Sequence, residues 1–329
     1  MKKTFLMVAA VAAMLVATGF TACKPNSKPK EIDIYVAGTD DSGANAVAKV
    51  WKNGKELYEL TDGSKSASAY SVFVVGGDVY TAGSEYNNST NNVAKVWKND
   101  KELYALTDGT KSGEAHSLFV ADDKVYTAGY EGRVAKLWKN KSATDLTDGS
   151  KSASANSVFV AGSNVYTAGK DGNIVKVWKK GSELFALTDG SNNADTYSVF
   201  VVGEDVYTAG YESNGTKDVA KVWKNKKAIF KTDGSKNAIA RSVYVVGDDV
   251  YVAGDEGGVD KVWKNGEELY ELADKGHAQS IVVYNGDVYV AGFEKDGSSN
   301  VAKVWKNGKE LYTLADKGAA FSIFIAERK

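Results

Sequence analysis

Val-Ala-Lys-Val-Trp-Lys-Asn, residues 93–99, is the stretch that decides the fold, because the chain repeats it seven times with small changes. Each copy contains one tryptophan, and together the copies hold all seven tryptophans of the 329-residue sequence. Successive tryptophans lie 40 to 46 residues apart. A period of that length is typical of proteins built from identical supersecondary units. The tryptophans are Trp51, Trp97, Trp138, Trp178, Trp223, Trp263 and Trp305.

Each repeat reads as four short β-strands. The first two are Ser-Val-Phe-Val-Val, as at residues 71–75, and Val-Tyr-Thr-Ala-Gly, as at residues 79–83, and both are rich in β-branched and aromatic residues. The third strand carries the tryptophan, and in three copies it leads into the fourth through Asn-Gly, as at Asn53-Gly54. Asn-Gly favours a type I′ hairpin because both central residues must adopt positive φ. No segment shows a helical apolar period, so we predict an all-β chain.

Four antiparallel strands per unit, repeated around an axis, form the blades of a β-propeller. The N-terminal copy begins at Ile32 with its second strand, whereas the C-terminal copy ends after its first strand, residues 322–326. We therefore predict a seven-bladed β-propeller over residues 32–329, in which the N-terminal and C-terminal strands together close the first blade. An open β-solenoid is the alternative, although such coils usually have shorter periods and distinct caps.

The units Val-Tyr-Xaa-Ala-Gly and Val-Ala-Lys-Val-Trp-Lys-Asn-Gly resemble those of seven-bladed β-propeller repeat proteins of the bacterial lipoprotein kind. The period is also similar to that of WD40 repeats. The Trp-Asp ending and Gly-His start of that family are absent, because every tryptophan here is followed by lysine. The resemblance therefore implies the propeller shape and none of the WD40 partners.

Residues 1–22 have the layout of a bacterial secretory signal peptide: two lysines, an apolar run over residues 5–16, and small residues before Cys23. Cys23 is the only cysteine of the chain. Residues 20–23, Phe-Thr-Ala-Cys, resemble the lipobox of bacterial lipoproteins, in which a lipid-modified cysteine becomes the new N-terminus. We therefore predict lipidation of Cys23. The alternative is a plain signal peptide whose apolar run ends near a cysteine.

Residues 23–31 form a polar segment that holds both prolines of the chain, and we expect a lipidated tether that keeps the propeller off a membrane. These features predict an exported protein of the bacterial cell envelope, anchored by lipid to the outer membrane or cell surface. The anchor is the expected membrane contact. The net charge is −1 and the lysines are spread through the repeats, so we expect no nucleic-acid binding. We also expect a monomer.

A lysine two residues before each tryptophan and an acid just after each second strand recur seven times. Their equal number predicts one structural ion pair per blade. A ring of carboxylates that binds a cation is the alternative, although calcium requires several oxygens converging on one point. We expect the tryptophans to pack between neighbouring blades and the aspartates of the turns after the fourth strands to bond local backbone. The acids after the second strands are Asp40, Glu85, Glu131, Asp171, Glu212, Glu256 and Glu294.

One position varies between copies that otherwise agree: the residue just before each first strand, which is always followed by serine. First strands of a propeller lie nearest the axis, so these seven side chains are expected to ring the mouth of the central channel. A concave mouth lined by aromatic residues, amides, one arginine and one histidine has the composition of a site for a sugar-like or peptide-like ligand. The alternative is that they are ordinary exposed residues. The seven candidate ligand-binding residues are Tyr70, His116, Asn156, Tyr197, Arg241, Gln279 and Phe321.

Signals of catalysis are weak. The two histidines, His116 and His277, do not have the spacing of metal ligands. The serines recur identically in all seven copies, whereas a catalytic nucleophile needs an adjacent base in an environment that the other copies lack. We predict no catalytic residue, no metal and no cofactor. The predicted function is a lipid-anchored, non-enzymatic binding module that recognises a glycan, peptide or protein at the channel mouth. The alternatives are an enzyme that acts on polysaccharide or peptide through acids such as Glu114, Asp195 or Asp255, and a purely structural envelope protein.

Overall fold

The computed structural model describes residues 30–87 and 90–328, and over these ranges the chain forms 28 strands in seven four-stranded antiparallel sheets. The predicted all-β, seven-bladed propeller is confirmed. The predicted signal peptide at residues 1–22 and the lipidation site Cys23 lie outside the described residues. Within the described part of the chain, no helix has the length and apolar character needed to cross a membrane.

In chain order the strands are β1 (Ile32–Asp40), β2 (Val47–Lys52), β3 (Lys55–Glu59), β4 (Ala67–Val75), β5 (Asp78–Tyr86), β6 (Asn92–Lys98), β7 (Lys101–Ala105), β8 (Gly113–Ala121), β9 (Lys124–Glu131), β10 (Val134–Lys139), β11 (Ser142–Asp145), β12 (Ala153–Ala161), β13 (Asn164–Asp171), β14 (Ile174–Lys179), β15 (Ser182–Ala186), β16 (Ala194–Val202), β17 (Asp205–Ser213), β18 (Asp218–Lys224), β19 (Lys227–Lys231), β20 (Ala238–Val246), β21 (Asp249–Glu256), β22 (Val259–Lys264), β23 (Glu267–Asp274), β24 (His277–Tyr284), β25 (Asp287–Asp296), β26 (Ser299–Lys306), β27 (Lys309–Ala315) and β28 (Gly318–Glu327). Blade 1 consists of β28, β1, β2 and β3, and each later blade consists of four consecutive strands, from β4–β7 in blade 2 to β24–β27 in blade 7.

Blade 1 is closed by the two ends of the described chain. Strand β28 pairs antiparallel with β1, so that Ile32 lies opposite Glu327 and Asp40 lies opposite Gly318. The pairing places strands almost 300 residues apart in one sheet. It closes the ring as predicted and leaves no open end between blade 7 and blade 2.

The tryptophans are buried, and Trp51, Trp97, Trp263 and Trp305 pack against the preceding blade. All seven are at most 4% exposed. Trp97 of blade 2 belongs to the same cluster of buried residues as Ala48 and Val50 of blade 1, and Trp263 of blade 6 packs with Val222 of blade 5. Because one indole buries about 150–250 Å² of surface, these contacts supply much of the burial between thin sheets. The predicted role is confirmed for these four tryptophans.

The lysine two residues before each tryptophan pairs with the acid at or near the end of the second strand in all seven blades. The Nζ to carboxylate oxygen distances range from 2.5 Å in Lys95–Glu85 to 3.4 Å in Lys261–Glu256. Each of these acids is thus held by its own lysine, as predicted. No group of three or more histidine, cysteine or acidic side chains over residues 30–87 and 90–328 is arranged to hold a metal ion.

The turn aspartates bond local backbone in blades 1 to 5, where each accepts an N–H two residues further on, as Asp62 does from Ser64 at 2.9 Å. The prediction is wrong for blades 6 and 7. There the connection is shorter, and the fourth strands β23 and β27 continue to pair through Ala273, opposite Asp260, and Ala315, opposite Ala302. Direct strand pairing replaces the turn in these two blades.

Every first strand contains a β-bulge at the variable residue. In blade 2, Ala69 pairs with Gly83 and Ser71 pairs with Ala82, so that Tyr70 has no partner on β5. The same register shift occurs in the other six blades. A bulge redirects one side chain and bends the strand. The repeat therefore presents one residue per blade toward the channel mouth, whatever that residue is.

The invariant serine after each bulge joins adjacent blades. The N–H of Leu118 in blade 3 donates to Ser71 Oγ of blade 2 at 3.1 Å, and the N–H of Val72 donates to Ser322 Oγ of blade 1 at 3.2 Å. Equivalent bonds of 3.0–3.3 Å complete a closed circle of seven. The serines thus belong to the framework, as their recurrence predicted.

A belt of aromatic side chains lies one layer deeper, two residues beyond the serines. Its neighbouring ring centroids are 4.7–5.2 Å apart, and Phe73 contacts Phe324 to join blade 2 to blade 1. The seventh place in the belt is taken by Val282. These side chains narrow the channel and form the floor of the mouth. The aromatic members are Phe73, Phe119, Phe159, Phe200, Tyr244 and Phe324.

The bulge explains the glycine that lies beside it in every second strand. A Cβ at Gly83 would overlap the carbonyl oxygen of Ser68 and lie 3.1 Å from Cα of Ala69. We therefore expect Gly83→Ala to lower the free energy of unfolding by about 1–3 kcal/mol, the usual cost of overpacking. Gly43→Ala is the control, because its nearest neighbour would be 3.6 Å away. Chemical denaturation of both variants is the measurement, and an equal stability of the two would contradict this account of the bulge.

Candidate ligand-binding site at the channel mouth

All seven residues predicted from the sequence line one cavity of about 510 Å³ at the channel mouth. The invariant serines lie between them, and Glu114, Tyr130, Ser154 and Asp195 complete the lining. The expected ring is therefore present. Its role in ligand binding stays a prediction.

One side of the mouth is an aromatic wall formed by Phe321, Tyr70, His116 and Tyr130. The Tyr70 ring lies 5.5 Å from Phe321 and 5.8 Å from His116, the latter edge-on at 81°. The His116 ring lies 5.5 Å from Tyr130. Burial, and next the nearby Glu114 carboxylate, raise the pKa of Tyr130 to about 12, so this phenol stays neutral at physiological pH. The phenyl and phenol rings of this wall offer uncharged faces and edges to the cavity.

His116 is held between two acceptors. Its Nε2 lies 3.0 Å from Glu114 Oε2 and its Nδ1 lies 3.1 Å from Asn156 Oδ1. The Asn156 amide nitrogen donates to Asp195 Oδ1 at 2.9 Å and to the Thr196 carbonyl at 2.7 Å, which orients the amide oxygen toward His116. Both imidazole nitrogens therefore face hydrogen-bond acceptors, which fixes the orientation of the ring.

Both acidic side chains of the cavity lining are paired with other side chains of the protein. Burial raises the pKa of Glu114, but hydrogen bonds from His116 and Asn92 outweigh it and the net pKa is lowered. Asp195 is 7% exposed, and its second carboxylate oxygen lies 2.5 Å from Lys170 Nζ. The acids therefore enter the cavity as members of hydrogen-bonded pairs, with little unpaired charge.

Arg241 occupies the opposite side of the mouth. Its Nε and one terminal nitrogen donate to Asp255 Oδ1 at 3.1 and 2.9 Å, and the same terminal nitrogen lies 3.0 Å from His277 Nδ1. His277 Nδ1 also lies 3.4 Å from Asp255 Oδ1, so the three side chains form one cluster. The guanidinium also lies 5.8 Å from the Tyr197 ring centroid, in cation–π range. Arg241 is thus fixed on three sides.

Gln279 and Tyr197 complete the ring. None of the described residues hydrogen-bonds the Gln279 amide. Tyr197 stacks on Tyr211 with centroids 6.4 Å apart, and burial, with Asp195 as the next cause, raises its pKa. This half of the mouth, with Asn156 and Arg241, is a polar wall whose donors and acceptors face the aromatic wall across the cavity.

The sequence reasoning missed Asp260. It belongs to β22, where the other blades carry alanine or, in blade 4, Val175. Its side chain does not line the cavity, and on the sheet the residue lies directly opposite Asp255, the partner of Arg241. Comparison of the seven third strands would have revealed it, because an acid replaces an apolar residue at an otherwise uniform position.

No family model and no curated protein matches the chain. Among solved structures, the candidate 6-phosphogluconolactonase from Bacteroides fragilis is similar, with a TM-score of 0.52 and 12% sequence identity over 92% of this chain and 100% of that one. The WD40 β-propeller domain of Doa1 has a TM-score of 0.49 and 16% identity, covering 80% of this chain and 90% of that one. At these identities the likeness concerns the fold alone.

The Lys170–Asp195 pair provides a test of the polar wall. Lys170→Met leaves a buried carboxylate without its cation, so we expect it to lower the free energy of unfolding by about 1–3 kcal/mol. Asp195→Asn in the same chain removes the stranded charge and should recover at least half of that loss. Denaturation of the single and double variants measures the coupling. Strict additivity would contradict the pairing.

Proposed function

We propose that the chain is a binding module of the bacterial cell envelope, anchored by lipid at Cys23, which recognises a glycan at the channel mouth. One observation carries the proposal: seven equivalent bulges present seven side chains that differ between adjacent blades into one open cavity. A scaffold that repeats everywhere else and varies at this position is the arrangement expected of a recognition surface.

The chemistry of the cavity favours a glycan over the peptide or protein ligands that the sequence also allows. Sugars combine apolar ring faces with hydroxyl edges. The aromatic wall supplies flat apolar surfaces, and Gln279 and Arg241 supply amide and guanidinium groups for hydroxyls. The acids and cations of the mouth are already paired with one another. A neutral polyhydroxylated ligand therefore meets donors and acceptors without an uncompensated charge.

The position of the N-terminal tether supports a mouth that faces away from the membrane. Strand β28 carries Phe321 at the mouth and ends at Glu327, where it pairs with Ile32 and where Lys30 Nζ lies 2.5 Å from the Glu327 carboxylate. The N-terminal segment therefore joins the propeller on the face opposite the mouth. Residues 24–30 reach at most about 25 Å when fully extended. An anchor at Cys23 would direct the mouth away from the membrane.

An enzyme that acts on polysaccharide or peptide is the second candidate. The observation that favours it is the Glu114–His116 pair, an acid and an imidazole 3.0 Å apart within the cavity. The similar Bacteroides fragilis protein, described as a candidate lactonase, adds only that a propeller of this shape has been associated with catalysis. A structural envelope protein, the third candidate, leaves the variable open mouth without a use.

For glycan binding we expect the Tyr70→Ala/Arg241→Ala double variant to bind at least tenfold more weakly, about 1.4 kcal/mol, because it loses one group from each wall. The matched control is Tyr284→Ala/Arg328→Ala, which removes the same residue types from the opposite face. A glycan array followed by calorimetry on the strongest hit is the measurement, with a peptide array beside it. Equal binding by both double variants would contradict the site. Binding of peptides alone would contradict the ligand class, and hydrolysis of the hit that is lost in His116→Ala would favour the enzyme.

For the anchor we expect Cys23→Ala to move the protein from the membrane fraction to the soluble fraction of the producing bacterium, because a polar tether has no other means of membrane attachment. Ser27→Ala in the same segment is the control and should stay with the membranes. Fractionation with immunoblotting is the measurement. Retention of the Cys23→Ala protein in the membrane fraction would show that lipidation of this cysteine is not the attachment.

A further inference from the structure

A buried acid occupies blade 6 at a position where the other blades are apolar. Asp260 is 0% exposed, and its carboxylate makes no hydrogen bond of good geometry to the described residues, the Ala278 amide being the one backbone donor that acts on it. An ionised carboxylate without a partner is strongly unfavourable in such surroundings, whereas a protonated one carries no net charge. The residues at the equivalent position are Ala48, Ala94, Ala135, Val175, Ala220 and Ala302.

The neighbouring blade makes room for this acid. A Cβ at Gly276, in the connection that leads into blade 7, would overlap Asp260 Oδ2 as well as the carbonyl oxygen of Phe293. Asp260 also lies in the shortened region of blade 6, where its backbone pairs with Ala273 instead of the usual turn threonine. The shortened connection and its glycine recur after blade 7, at Ala315 and Gly318, where the equivalent third-strand residue is Ala302. The acid itself is therefore the feature particular to blade 6.

Asp260 faces the group that holds the arginine of the mouth. It pairs in register with Asp255 of β21, which accepts from Arg241 of β20 and lies 3.4 Å from His277 Nδ1 of β24. Arg241 lines the cavity, whereas the two aspartates lie behind it. A change of charge on Asp260 therefore acts on Arg241 through Asp255.

The groups around Asp260 act on its pKa in both directions. Burial, and next the Asp255 carboxylate, raise the pKa of Asp260 to about 8. Glu294 of β25 acts in the same direction, and the Ala278 amide and Arg241 act against it. The environment as a whole favours the neutral acid at physiological pH.

We propose that Asp260 holds a proton at neutral pH and acts as a positioning residue for the mouth. When it releases that proton in alkaline solution, its negative charge strengthens the electrostatic attraction between Arg241 and the acids of blade 6. The protonated acid leaves Asp255 alone to balance the guanidinium. The ionised acid adds a second negative charge behind Arg241 and draws it away from the cavity. The effect on a ligand rests on the proposed function, but the proton and its effect on Arg241 do not.

Stability as a function of pH tests the proton without a ligand. The pKa of Asp260 is higher in the folded than in the unfolded chain, so the folded state binds the extra proton between about pH 4 and pH 8, and stability falls as pH rises through that window. We expect the folding equilibrium constant of the wild type to lose up to about tenfold per pH unit relative to Asp260→Ala and Asp260→Asn. Asp249→Asn, which removes an acid paired with Lys264 in the same blade, is the control. Parallel curves for the wild type and both Asp260 variants would overturn the proposal.

Carbon-detected NMR tests the effect on the arginine. The chain has only three arginines, so the ¹³Cζ resonances of Arg133, Arg241 and Arg328 form a sparse spectrum. We expect the Arg241 resonance of the wild type to shift with a midpoint near pH 8 and to lose that shift in Asp260→Asn. Arg133, bonded to the Ser150 carbonyl, and Arg328, paired with Asp33, serve as internal controls.

Two results would overturn the assignment separately. An Arg241 resonance that stays constant while stability titrates would show a buried proton that does not position the arginine. Stabilisation of the wild type, but not of Asp260→Ala, by calcium chloride would show that the acid is a cation ligand. A failure of glycan binding would leave the stability and NMR results unchanged, so the proposed function and this proposal can fail independently.

Discussion

The packing of tryptophans against the preceding blade is the interaction on which the rest of the structure depends. A four-stranded sheet cannot bury both of its faces alone, and every blade here uses its neighbour for that purpose. All seven indoles are almost fully buried. Because the ring closes through β28 and β1, no junction is left open, and the geometry of one contact is imposed on all seven.

That repetition has a consequence for the channel. Identical blades require identical first strands, and the circle of serine hydrogen bonds shows how closely they agree. The bulge before each serine removes one residue from the pairing requirement. Its backbone does not pair within the sheet and its side chain lines the mouth, so it is free to differ. The framework and the candidate site are therefore produced by the same local device.

Charged residues also differ between the framework of the propeller and the mouth. On the framework, each lysine pairs with an acid on the neighbouring strand of its own blade. At the mouth the pairs are unlike one another: Glu114 with His116, Asp195 with Lys170, and Arg241 with Asp255. Blade 6 departs most from the repeat, because Asp260 places an acid at a buried position. Departures from the repeat thus concentrate where the seven blades meet the cavity.

The repeat sequence by itself determined the all-β class, the number of blades, the closure of blade 1 and the identity of the seven mouth residues, because each follows from period, strand pattern and the comparison of copies. The ion pair in every blade was also readable from equal counts of lysines and acids. Which side chains of the mouth bond one another depends on the curvature of the ring, which brings residues about 40 positions apart into contact, as with His116 and Asn156. Only the tertiary structure could show that Asp260 is sealed between blades and faces Asp255, since burial and unpaired hydrogen-bonding groups arise from packing across the ring and leave no trace in the order of the residues.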